Sequence, residues 1–298
     1  MHRTTTPALF LLAAILLLAA VLVFAAPVRA AEPGDLRVQR TVILANLDNP
    51  WDLAFAPDGT LFFTEKCRGL SVRTPDGAVR HLFGASGAAV AADDLFCQGQ
   101  SGMLGLALDP AFADNRRLYL FMASKLGGQP ANRVVRLQVD AANTTVRDRT
   151  DIVTDIPFKP SFNRWGRAGA QSGGRLRFSP KDGFLYVTTG DNHNGPLPQD
   201  LTRLGGKVLR IDRDGRPAPG NNTPKGGDAR LFTYGHRNVQ GLAFRPGTGQ
   251  PFACEHGPGH SDEVTALVAG GKGGRGPAAR RGGSGGSSRC GSNSNKPE

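Results

Sequence analysis

Asn49-Pro50-Trp51-Asp52-Leu53-Ala54-Phe55-Ala56-Pro57-Asp58-Gly59-Thr60-Leu61-Phe62-Phe63 reads as a β-hairpin. Two apolar runs flank Pro57-Asp58-Gly59, where proline presets one turn dihedral and glycine accepts the other. The pattern returns three times. Leu104–Leu108 leads through Asp109-Pro110 to Leu118–Phe121. Leu176–Phe178 leads through Ser179-Pro180-Lys181-Asp182-Gly183 to Phe184–Val187. Leu242–Phe244 leads through Arg245-Pro246-Gly247-Thr248-Gly249 to Phe252–Cys254. The turn prolines, Pro57, Pro110, Pro180 and Pro246, are 53, 70 and 66 residues apart. Strand hairpins at intervals of this order predict propeller-like blades with variable loops. Leu36–Leu47 alternates in the manner of one more strand, and no long amphipathic helix competes.

Composition agrees. Glycine (40) and proline (21) are plentiful in the 298 residues, as short strands and many turns require. The net charge of +11 is concentrated at the ends. Six basic residues against one acid follow from Lys272 onward, and Arg3 and Arg29 lie near the start. The core carries an ordinary balance with no basic, aromatic-interleaved stripe, so nucleic acid is not an expected partner. Residues 1–30 have an early Arg3, an apolar run from Pro7 to Ala26, and Val28-Arg29-Ala30 as a small-x-small site. That is a signal peptide or, if uncleaved, a membrane anchor. A periplasmic or secreted domain is expected either way. In that setting Cys67 and Cys97, in neighbouring repeats, are expected to pair. Cys254 reads as a core residue and Cys290 as a free thiol. None of the four forms a CxxC zinc or haem signature.

Two dense polar motifs remain. Tyr234-Gly235-His236-Arg237-Asn238-Val239-Gln240-Gly241 packs a cation, two amides and an imidazole between glycines, just before the apolar run Leu242-Ala243-Phe244. Such a set suits a planar anionic ligand. Glu255-His256-Gly257-Pro258 ends the next strand in a turn and is followed by Asp262 and Glu263. Outward carbonyls near carboxylates suit a hard cation. In this order the motifs resemble the soluble, pyrroloquinoline-quinone (PQQ)-dependent sugar dehydrogenases of the glucose/sorbosone dehydrogenase family. The resemblance runs from about Val42 to Gly271.

That resemblance implies an all-β fold of six blades, with PQQ and Ca2+ as cofactors and a small sugar as substrate; the electron acceptor is unknown. It implies that Arg237, Asn238 and Gln240 face the quinone, that Gly257 and Pro258 offer carbonyls to calcium beside Asp262 and Glu263, and that Gln100 meets substrate. The propeller is expected over 36–271, truncated after four to five blades, with a disordered Gly/Arg/Ser-rich tail over 272–298. One position departs from the pattern. Gln171, in Ala170-Gln171-Ser172-Gly173-Gly174-Arg175-Leu176, stands where the family has its base histidine, and an amide cannot take up a proton near neutral pH. His193 reads as a loop residue and His236 as part of its turn. Negligible glucose oxidation is therefore the expectation. The rival readings are a non-catalytic exported propeller that binds sugar or protein, and a calcium-dependent propeller hydrolase.

Overall fold

The structure, a computed structural model, describes residues 38–160, 166–258 and 261–274. From Asn46 onward these residues build four antiparallel sheets in chain order. The first holds β1 (Pro50–Phe55), β2 (Leu61–Glu65), β3 (Gly69–Arg73) and β4 (Val79–Gly84), with the two-residue β5 (Val90–Ala91) added in parallel to β4. The second holds β6 (Met103–Leu108), β7 (Arg117–Ser124), β8 (Ala131–Val139) and β9 (Val146–Ile156), with one helical turn, α1 (Phe112–Asn115), between β6 and β7. The third holds β10 (Gly173–Phe178), β11 (Leu185–Thr189), β12 (Lys207–Ile211) and β13 (Leu231–Tyr234). The fourth holds β14 (Val239–Phe244), β15 (Pro251–Glu255) and β16 (Glu263–Ala266). Finally β17 (Gly271–Lys272) returns to pair in parallel with β13. The four sheets are successive propeller blades, and each opens on one of the hairpins read from the sequence.

Three apolar layers hold the blades face to face. Phe62, Leu70, Leu82 and Phe83 meet Met103, Leu106, Leu120 and Val135 between the first two. Leu104, Tyr119, Phe121 and Val134 meet Leu176, Val187 and Leu209 between the second and third. Tyr186, Val208 and Phe232 meet Val239, Leu242 and Ala253 between the third and fourth. Because inner strands are covered on both faces, β2 and β11 are buried along their whole length rather than alternating.

A polar hub crosses the layers. The buried carboxylate of Asp52 accepts the Leu106 amide at 3.0 Å and two bonds from Arg177 at 2.9 and 3.0 Å. Arg175 adds a further bond to Asp52, stacks 4.2 Å from the Trp51 ring centroid, and donates through Nε to the Gln240 carbonyl at 2.9 Å. One acid on the first blade thus links all four.

Register decides where the loops go. The start of each leading strand pairs with the end of its second: Pro50 with Glu65, Met103 with Met122, Gly173 with Thr189, Val239 with Glu255. Each leading strand is irregular just inside that entry, as bulges are where a strand must re-aim its side chains. Strand entries and second-strand exits therefore gather at one end of the blades.

Cys67 and Cys97 form the expected disulfide, with Cα atoms 5.3 Å apart. Two expectations are corrected. Residues 38–47 carry no strand in the described chain, because alternation alone cannot make a sheet without a hydrogen-bonded partner strand. Cys254 is half-buried rather than a core residue, since β15 turns Ala253 and Glu255 inward instead. The readings placed on 1–30, on Cys290 and on the tail from Arg275 lie outside the described residues.

Candidate functional site

At the gathered end, three blade entries and two second-strand exits interlock. The Gln100 amide donates to the Ala168 carbonyl, and Gln100 Oε1 accepts the Gln171 amide at 3.3 Å. Asn238 bridges Gly190, accepts the Gly173 amide on its side-chain oxygen at 3.0 Å, and accepts the His256 amide on its carbonyl at 3.1 Å. It is buried, so Asn238 fastens the third blade to the fourth.

Arg237 crosses the mouth. Its Nη1 donates to the His256 carbonyl at 2.9 Å. When the Gln171 amide is turned so that Nε2 faces Asp191 Oδ1, Gln171 Oε1 accepts Arg237 Nη2 at 2.5 Å and lies 3.3 Å from His193 Nδ1. Gln240 Oε1 lies 3.0 Å from His256 Nε2, and since an amide oxygen only accepts, that nitrogen donates. Gln100, Gln171, Arg237, Gln240 and His256 thus form one connected polar rim.

Beneath the rim lies a buried support. His236 is wholly buried, with Nδ1 2.9 Å from Glu255 Oε1 and Nε2 2.8 Å from Thr233 Oγ1. Glu255 Oε2 accepts the Arg237 amide at 2.6 Å. Burial alone would raise the Glu255 carboxyl. The His236 contact and the amides of Arg237 and Asn238 outweigh it and hold the group below its usual range. His236 is structural, as the sequence suggested.

The expected metal group is only partly assembled. Gly257 and Pro258 stand at the β15 exit with the rim. Asp262 Oδ1, however, accepts the Gly257 amide at 3.0 Å, closing the loop on itself. Glu263 sits in β16 opposite Glu255, and burial, reinforced by the Glu255 charge, raises its carboxyl. Among the described residues no cluster of three or more acidic, histidine or cysteine side chains is placed to hold a metal. Asp262 is thus engaged by its own loop, and Glu263 lies in the strand beside Glu255.

For a flat, anionic quinone the rim offers one guanidinium and several amides, while the nearby carboxylates Asp191 and Glu255 are buried and turned onto protein donors. That donor set fits. Sequence reasoning missed Asp191 and Glu255 as supports, and read His193, the imidazole nearest Gln171 in sequence, as a loop residue rather than a replacement base. The signal was present in Gly190-Asp191-Asn192-His193, which follows β11 where register brings it to the β10 entry.

The glucose/sorbosone dehydrogenase family profile matches residues 47–296. An aldose sugar dehydrogenase of Escherichia coli is 31% identical over 242 residues, covering 78% of this chain and 60% of the relative. Quinoprotein glucose dehydrogenase B of Acinetobacter calcoaceticus is 30% identical over 272 residues, covering 82% and 54%. The PQQ-bound form of the aldose sugar dehydrogenase from Streptomyces coelicolor superposes with a TM-score of 0.70 at 31% identity, covering 85% of this chain and 70% of that one. The chain spans roughly three-fifths of the length of the curated relatives it matches.

Proposed function

The chain belongs to the glucose/sorbosone dehydrogenase family, and on that premise we propose that its strand-end mouth binds PQQ and oxidises an aldose or related sugar. The observation that carries the reading is Arg237 held across the mouth by Gln171 and His256, with Gln100 and Gln240 on the same rim. A guanidinium fixed in this way meets a carboxylate or quinone oxygen in two directions without reordering. When bound, the quinone supplies the two-electron acceptor that no side chain can provide. The protein's part is to orient the sugar, exclude water and receive a proton. Gln100, exposed at the lip, is placed to hydrogen-bond a sugar hydroxyl. We extend the proposal to calcium, with the Gly257 and Pro258 carbonyl oxygens as ligands without Asp262 or Glu263. Export is supported by the Cys67–Cys97 disulfide, which persists in oxidising compartments.

The test is titration of the purified chain with PQQ, followed by the quinone's absorbance, with and without calcium. Saturable binding is expected, weakened about tenfold or more by Arg237→Ala and by a chelator, and restored by calcium. A wild-type chain that binds no quinone overturns the reading. A second reading, a propeller that binds without turnover, is favoured by Gln171 at the base position. Quinone binding with no dye reduction by any aldose would select it.

A further inference from the structure

We propose that the lip around Gln100 is a carboxylate subsite, and that the sugar this mouth prefers is acidic, an aldose ending in a carboxylate such as a hexuronic acid. This deepens the sugar-binding reading above and rests on it. Gln100 follows Gly99, and two cations flank that glycine. Lys66 Nζ donates to the Gly99 carbonyl at 2.7 Å. Its stem is pinned: a Cβ on Gly102 would lie 2.6 Å from Lys66 Cγ, and the Lys66 carbonyl accepts the Met103 amide at 2.8 Å. On the other side, a Cβ on Gly99 would lie 2.6 Å from Arg167 Cβ. The Cys67–Cys97 disulfide staples the segment that carries Lys66 to the loop that carries Gln100.

These charges are not consumed by protein partners. An ammonium has three hydrogens, and Lys66 gives one to Gly99. Arg167 is exposed, and its guanidinium meets no acceptor among the described residues. Acids of the adjoining segments are turned elsewhere. Glu65 Oε1 accepts the Asp48 amide at 2.7 Å and lies 3.9 Å from Arg68. Asp94 takes two bonds from Arg149 at 2.6 and 2.7 Å.

A third cation stands behind the corner. Lys159 is 1% exposed, and its ammonium has no hydrogen-bond partner among the described residues. Its carbonyl accepts the amide of Gly169, the glycine that packs on Ser101, so Lys159 backs the same two loops. A buried charge left unpaired is destabilising, and it raises the potential over the loops packed on it. An anion at the lip offsets both effects.

An acidic sugar fits this arrangement from end to end. Gln100 Oε1 accepts the Gln171 amide, which leaves the Nε2 hydrogens for a ring hydroxyl. Arg237, on the fourth blade's side, marks the quinone end of the mouth. In a hexuronic acid the carboxylate lies at the opposite end of the molecule from the anomeric carbon. The reacting end then meets the quinone while the carboxylate meets Lys66 and Arg167. The carboxylate is held and not altered. Neutral glucose leaves both cations unpaired.

The test is calorimetric titration of the full chain, with and without bound PQQ, by D-glucuronate and by D-glucose. Glucuronate is expected to bind about tenfold tighter than glucose, an advantage that shrinks at high salt. Arg167→Met and Lys66→Met should each lower glucuronate affinity about threefold and leave glucose affinity within about twofold. Lys66 also holds Gly99, so Arg167→Met, which breaks no contact of the fold, decides if Lys66→Met fails to fold. Equal affinity for the two sugars overturns the inference and leaves quinone binding standing. Loss of quinone affinity in Arg167→Met with an unchanged sugar ratio also overturns it, and gives the corner to a cofactor carboxylate. A chain that binds no quinone overturns the parent reading, and the sugar ratio without quinone then decides this one. Binding of neither sugar overturns both.

Discussion

Two histidine corners lie side by side on this molecule, one at the β11 exit and one at the β14 entry, joined by the Gly190–Asn238 bridge. Each pairs an imidazole with a nearby carboxylate. At the β14 corner the ring is sealed between Glu255 and Thr233, and the acid's other oxygen holds the Arg237 amide. At the β11 corner Asp191 reaches His193 through backbone and through Gln171, and the ring itself faces solvent. Similar parts do different work because burial differs. Desolvation makes the first corner a fastening whose loss strands a charge. Exposure of its ring spares the second corner that penalty.

The sharpest way to break this contrast is His236→Ala. It leaves Glu255 buried beside a cavity, so a loss of about 3–5 kcal/mol is expected in urea unfolding. A loss under about 1 kcal/mol would mean the corner is not a fastening. Next comes the covalent hold on the neighbouring loop that carries Gln100. Replacing Cys67 and Cys97 together by serine opens a loop of separation 30 and is expected to cost about 3 kcal/mol by the same measurement.

The pH dependence of stability separates the corners further. Lys207 clamps the segment that follows His193, donating to the carbonyls of Leu197 and Gly205 at 2.9 and 2.6 Å. Burial lowers its ammonium from 10.5 to about 8. Between those values the unfolded chain binds the proton more tightly, so this group's contribution to stability rises as pH climbs from about 8 to 10.5. A rise of roughly 1–3 kcal/mol is expected across that window and should vanish in Lys207→Met. Glu255 has the same sign in a more acid window. Its lowered carboxyl stabilises fully above the unfolded value of 4.5, and that contribution is lost as pH falls through the folded one. The smallest effect completes the comparison: His193→Ala should change stability by no more than about 0.5 kcal/mol.

The hairpins are legible in the sequence because Pro57-Asp58-Gly59 and its counterparts encode turn dihedrals directly. The two-residue strands β5 and β17 are not, since two residues carry no period. Of the site, Arg237 and Gln240 announce themselves as polar residues packed at a strand entry. The Gln171–His193 contact does not. It exists because Gly173 pairs with Thr189, which carries residues just before β10 to those just after β11. The loop contact of Asp262 is hidden for a related reason. Charge density is visible in a chain, but whether a carboxylate turns outward or onto its own loop's amide depends on the loop's closure.

The Asp52 hub sets an order on synthesis. Arg177 is 125 residues downstream of the acid it binds, so at ribosomal speeds of roughly 5–20 residues per second Asp52 waits on the order of ten seconds for its partner. The first two blades must therefore pair and collapse with that carboxylate still hydrated, and the third blade displaces its water when it docks. A contact that also forms late in folding would lie outside the transition state. Its removal would show mainly as faster unfolding, which makes the hub a latch on the assembled blades rather than a seed for them.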